Sequence, residues 1–142
     1  MLPFTRTIGG SVALLDANHF RVRLGDQDYS GAENIYYAVE SLPVNAFLDL
    51  EAYTSYGDIE VRVPPTYQGS LDLCKAEHDA DPVRVAQGLR DPTGGGAEHV
   101  LSTSWSNDRR WRGNVGWGSN DTRGGSVRLL SETHGHCRLS IS

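Results

Sequence analysis

Three short stretches hold the residues able to do chemistry. The first is Glu77-His78-Asp79-Ala80-Asp81. Carboxylates suit Mg²⁺ or Ca²⁺, and an imidazole shifts the preference towards Zn²⁺ or Mn²⁺. His78, Asp79 and Asp81 are therefore the candidate ligands for a divalent metal cation, Mg²⁺ or Zn²⁺. Asp91 and His99 flank a glycine loop at 93–96 and would join the same cluster. Glu98, beside His99, would orient its ring or raise its pKa. The plainer alternative is a solvated acidic loop in which Asp81 caps a helix.

The second stretch is a pair of turn tips. Tyr56 and Asp58 flank Gly57, and His134 and His136 flank Gly135. Stacked in register, the two tips would bring Asp58 near His136 and Tyr56 near His134. Such a patch suits acid–base work or metal binding. Exposed polar turn residues are the alternative.

The third is WSNDRRWRGNVGW, from Trp105 to Trp117. Arg109, Arg110 and Arg112 surround Trp111. Guanidinium groups grip phosphate and indoles offer stacking faces, as an RNA loop requires. Exposed tryptophan beside Asn107, Asp108, Asn114, Asn120 and Asp121 equally suits a sugar. A hairpin with tryptophans in the core and arginines in water is the third reading.

The elements that must position these groups are mostly strands. Alternation of apolar and polar residues marks 19–24, 46–53, 58–63, 70–74, 126–131 and 137–141, and strand formers crowd 34–39. Pro64-Pro65 must end one of them, because neither residue donates to a ladder. Residues 51–63 parallel residues 129–141: in both, a strand runs into a polar turn with glycine, then a strictly alternating strand. Stacked copies of such a unit share one core. Asp81, Pro82 and Gly88 punctuate one short helix over 81–88. The expected fold is a single mainly-β domain over 1–142, a small β-sandwich or short β-solenoid of strand–Gly turn–strand repeats with one short helix.

Composition narrows the function. The 142 residues carry a net charge of −5, which weighs against a general nucleic-acid binder. The charge is uneven: residues 1–74 hold four Arg and ten acids, whereas 75–142 hold one Lys and eight Arg against eight acids. A partner is thus expected on the second part. No apolar run is long enough to span a bilayer, and none near the N-terminus exceeds residues 12–15, so a cytoplasmic location is expected. Cys74 and Cys137 read as two buried thiols, with a single bridge as the alternative. Nucleophile-elbow, P-loop and dinucleotide fingerprints are absent from the sequence.

The segment 45–73, with Pro64-Pro65-Thr66-Tyr67-Gln68-Gly69, and the ending GGSVRLLSETHGHCRLSIS resemble adhesin-like β-repeat domains of fungi. The carboxylates and histidines of the second half, Tyr53 and Tyr56, and the basic cluster 109–112 also make the chain look like a mushroom ribotoxin-like ribonuclease of the ageritin type. That resemblance implies a metal-dependent endoribonuclease acting on a ribosomal RNA loop. The metal at His78, Asp79, Asp81 and Asp91 would polarise the scissile phosphate. His99 would move the proton, Arg110 would stabilise developing charge, and Tyr56 would hold the flipped nucleotide. Trp105, Trp111, Arg109 and Arg112 would bind the substrate. The competing expectation is a non-catalytic lectin-like or adhesin-like module whose partner is a glycan.

Overall fold

A computed structural model describes residues 6–14, 19–25, 32–75, 82–118, 125–132 and 135–142. The strands, in chain order, are β1 (Arg6–Ala13), β2 (His19–Leu24), β3 (Glu33–Ser41), β4 (Phe47–Thr54), β5 (Ile59–Val63), β6 (Gly69–Cys74), β7 (Val83–Val85), β8 (His99–Ser106), β9 (Arg110–Trp117), β10 (Gly125–Ser131) and β11 (Cys137–Ile141). They form two sheets. One, ordered β1-β3-β5-β11-β7, is parallel throughout. The other, ordered β2-β4-β10-β6-β9-β8, is parallel as far as β6 and antiparallel beyond.

Successive strands up to β7 alternate between the sheets, so each passage from one to the other is an arch. Arches stack because parallel strands place equivalent residues side by side. The β10–β11 arch lies on the β4–β5 arch: Leu129 faces Ala52 across one pair of strands, and Leu139 faces Val61 across the other. On its far side it meets β6 and β7. The end of the chain is thus wedged between segments that precede it by tens of residues.

The two units of similar sequence are these two neighbouring arches, and the tips explain the similarity. Thr54 Oγ1 donates to the Glu33 carbonyl at 2.9 Å, and Ser131 Oγ, one arch on, donates to the Gly57 carbonyl at 2.7 Å. Asn34 Oδ1 accepts from the Asp58 amide at 2.9 Å, and Asp58 Oδ1 accepts from the His136 amide at 3.1 Å. Gly57 and Gly135 have φ of 141° and 140°. A Cβ on Gly135 would lie 1.8 Å from the Gly57 carbonyl oxygen, so close approach of backbone to backbone dictates glycine here.

Alternation fills the space between the sheets. Leu48, Leu50, Leu71, Leu73, Val127 and Leu129 meet Ile35, Ile59, Val61, Val63, Leu139 and Ile141, all essentially inaccessible. Tyr67 is buried with them and donates its hydroxyl to the Ser70 carbonyl at 2.7 Å. Burial holds that phenol well above its ordinary pKa. Pro64-Pro65 does end β5, and the Trp117 indole donates to the Pro65 carbonyl at 2.7 Å.

Two expectations need correction. No helix occurs among the described residues. Where the punctuation called for one over 81–88, Val83, Arg84 and Val85 extend as β7 beside β11. The Leu139 amide donates to the Pro82 carbonyl and the Ala86 amide to the Ile141 carbonyl, both at 2.9 Å. An open ladder on β11 and burial of the β-branched Val83 outweigh the weak tendency of a two-turn helix to form alone. The cysteines, read as two thiols, form a disulfide that joins the end of β6 to the start of β11. Among the described residues no helix is long and apolar enough to cross a membrane.

Candidate functional site

The core uses one face of each sheet, and the opposite face of the mixed sheet collects the polar chemistry. Two rows of side chains cross all six of its strands. Register places Arg21, Asp49, Ser126, Ser70, Asn114 and Ser102 in one row. The adjacent row reads Arg23, Glu51, Arg128, Asp72, Arg112 and Trp105. Every member is two residues along its strand from its neighbour in the other row, save on β8. There the register shifts between Thr103 and Trp105, and that irregularity brings Trp105 opposite Arg112.

Trp105 is 47% exposed, the most open large hydrophobic side chain of the described residues. The Arg112 guanidinium lies 5.7 Å from its ring centre, within cation–π range. Asp72 anchors the row. Arg110 grips it with two parallel bonds, Nε to Oδ1 at 2.8 Å and Nη2 to Oδ2 at 2.9 Å. Arg112 and Arg128 approach the same carboxylate from β9 and β10 at 3.5 and 3.7 Å. Asp72 holds the Arg110 guanidinium above its ordinary pKa, first through the hydrogen bond. In the neighbouring row Ser126 Oγ donates to Asp49 Oδ1 at 3.0 Å, and Arg21 pairs with Asp49 at 3.5 Å.

The expected site residues do not converge on one centre. His78, Asp79 and Asp81 lie outside the described residues, as do His134, Asn120 and Asp121. Asp91 organises its own loop. Its Oδ1 accepts from the Thr93 amide and hydroxyl, and its Oδ2 from the Ala97 amide. These bonds, the Thr93 hydroxyl foremost, hold the carboxyl below its ordinary range. His99 stacks on Trp117 with ring centres 4.3 Å apart, and its buried Nε2 has no hydrogen-bond partner among the described residues. Burial pushes its pKa down. Trp111 is in the core, 5% exposed. Arg109 sits on the β8–β9 turn, where Asn107 Oδ1 accepts from the amides of Arg109 and Arg110, each at 2.8 Å.

At the arch tips Asp58 meets His136, with Nδ1 3.4 Å from Oδ1, while Tyr56 is exposed nearby. Among the described residues no group of three or more His, Cys, Asp or Glu is placed to hold a metal ion. Of the substrate-binding set, Trp105 and Arg112 come together on the open face, and Arg110 supports them through Asp72.

Sequence reasoning overlooked Asp72, Arg128, Ser70 and Ser126. Their signal was present, since each is an outward residue of a cleanly alternating strand. What joins them is the parallel pairing of β10 with β6, which no local pattern announces.

Compared with protein-family models, with curated proteins and with solved structures, the chain matches none.

Proposed function

We propose that the protein is a non-catalytic binding module that takes a glycan on the open face of its mixed sheet. The observation that carries this is Trp105, exposed on the edge strand beside a row of hydroxyl and amide side chains, Ser102, Asn114, Ser70 and Ser126. An indole face packs against the C–H face of a sugar ring, and hydroxyl and amide groups match its hydroxyls. Side chains fixed on paired strands lose little entropy on binding.

The same residues support a metal-dependent endoribonuclease acting on ribosomal RNA less well. Arg110 is already engaged by Asp72, Trp111 packs in the core, and Asp91 and His99 share no hydrogen bond or ion pair among the described residues. The disulfide weighs against a cytoplasmic location and favours an oxidising compartment, where such bonds persist.

A glycan array probed with the native protein and with Trp105→Ala tests the reading. Selective binding by the native protein, lost in the variant, is expected. Discrete cleavage of ribosomal RNA that EDTA abolishes, with no glycan bound, would replace it with the nuclease.

A further inference from the structure

The row that ends at Trp105 holds more positive charge than its structure needs. Asp72 is paired bidentately by Arg110, which satisfies its charge and fixes its plane. Arg112 and Arg128 stand on either side of the same carboxylate. Each approaches it through Nε, at 3.5 and 3.7 Å, without making a hydrogen bond. Their side chains remain 52% and 57% exposed. Among the described residues neither guanidinium has a hydrogen-bond partner. With Arg23 and Glu51, the cross-strand neighbours beyond Arg128, four guanidinium groups meet two carboxylates and leave a local charge of +2 on a protein whose net charge is −5. Exposed ion pairs of this kind contribute little to stability, and gathering like charges opposes it.

We propose that this surplus is a subsite for the acidic group of the ligand, so that the glycan is one carrying carboxylate or sulfate groups. The inference rests on the glycan reading and adds its chemical class. Arg112 and Arg128 lie two strands apart, about 10 Å at the backbone, close to the length of a disaccharide. A planar guanidinium matches a carboxylate or a sulfate with two parallel hydrogen bonds. Trp105 beside Arg112 takes the sugar ring that bears the acidic group, and Asp72, bound by Arg110, leaves the guanidinium groups of Arg112 and Arg128 open to it.

The test measures binding of the native protein to polygalacturonate, dextran sulfate, unmodified dextran and poly(U), and repeats it with Arg112→Gln, Arg128→Gln and Arg62→Gln. Arg62 is exposed on the other sheet, so its variant loses the same charge away from the face. Circular dichroism checks that each variant folds. The proposal expects at least one acidic polysaccharide to bind and unmodified dextran not to. Arg112→Gln and Arg128→Gln should each weaken binding about tenfold, and Arg62→Gln should leave it within about twofold. Preference between polygalacturonate and dextran sulfate identifies the group as carboxylate or sulfate. Equal loss in Arg62→Gln would overturn the subsite, since it marks diffuse attraction. Binding of neutral glycans unchanged in both face variants would overturn the subsite and leave the glycan reading standing. Tighter binding of poly(U) with the same arginine dependence, or no glycan bound at all, would overturn both.

Discussion

The Asp58 carboxylate accepts a hydrogen bond from the backbone amide of His136 at 3.1 Å, joining two arches whose tips are 78 residues apart in sequence. Asn34 does the same for Asp58 one arch earlier. The contact is therefore one rung of a ladder built by stacking, and its main partner is the amide rather than the imidazole.

That distinction has a measurable consequence. Asp58→Ala leaves a half-buried amide without its acceptor and should cost about 1 kcal/mol. His136→Ala keeps the amide and should cost less than half as much. Urea unfolding of both variants checks the order; equal losses would assign the contact to the side chains.

Gly135 permits still less change. Its φ of 140° and the 1.8 Å approach of a built Cβ to the Gly57 carbonyl leave no room for any side chain. Gly135→Ala should destabilise the fold by about 3 kcal/mol, since strain at a positive φ adds to a backbone clash. Gly88, with a φ of 76° and open space around it, should tolerate alanine at about 1 kcal/mol. Thermal unfolding of the pair separates close approach from φ alone.

The stacking of the two arches was legible because its causes are local. Glycine at each tip, a hydroxyl before it and strict alternation after it all lie within a dozen residues. The order of strands was not, because β10 and β11 insert between partners far earlier in the chain. β7 shows the same limit. Asp81, Pro82 and Gly88 are helix punctuation, but the free ladder of β11 is invisible from residues 81–88 and prevails. The candidate site divides along that line. Trp105 and Arg112 were found in one hairpin, whereas Asp72 and Arg128 join them only through pairing of distant strands.

The disulfide closes a loop with a sequence separation of 63 residues. Chain entropy alone predicts a loss of about 4 kcal/mol on replacing Cys74 and Cys137 with serine. Unfolding in urea with and without reductant measures it, and the serine double variant should be insensitive to reductant.

His99 supplies a pH dependence whose sign is fixed by its burial. Its folded pKa lies below the ordinary value of 6.5, so the unfolded chain takes up the proton first as pH falls. The stability it contributes is complete above about pH 6.5 and is lost as pH drops through the folded pKa. His99→Gln should therefore lose less stability than the native protein between neutral and mildly acidic pH. A larger loss in the variant would contradict the assignment.

The most direct test of the binding face uses the tryptophans themselves. Trp111 is buried and Trp117 is stacked on His99, which leaves Trp105 as the indole that a ligand would cover. Titrating the native protein with the best glycan from the array should shift its emission to the blue, saturably. Trp105→Phe should abolish the shift and weaken binding by no more than about tenfold, because phenylalanine keeps a stacking ring. A saturable shift that persists in Trp105→Phe would place the ligand elsewhere and contradict the account.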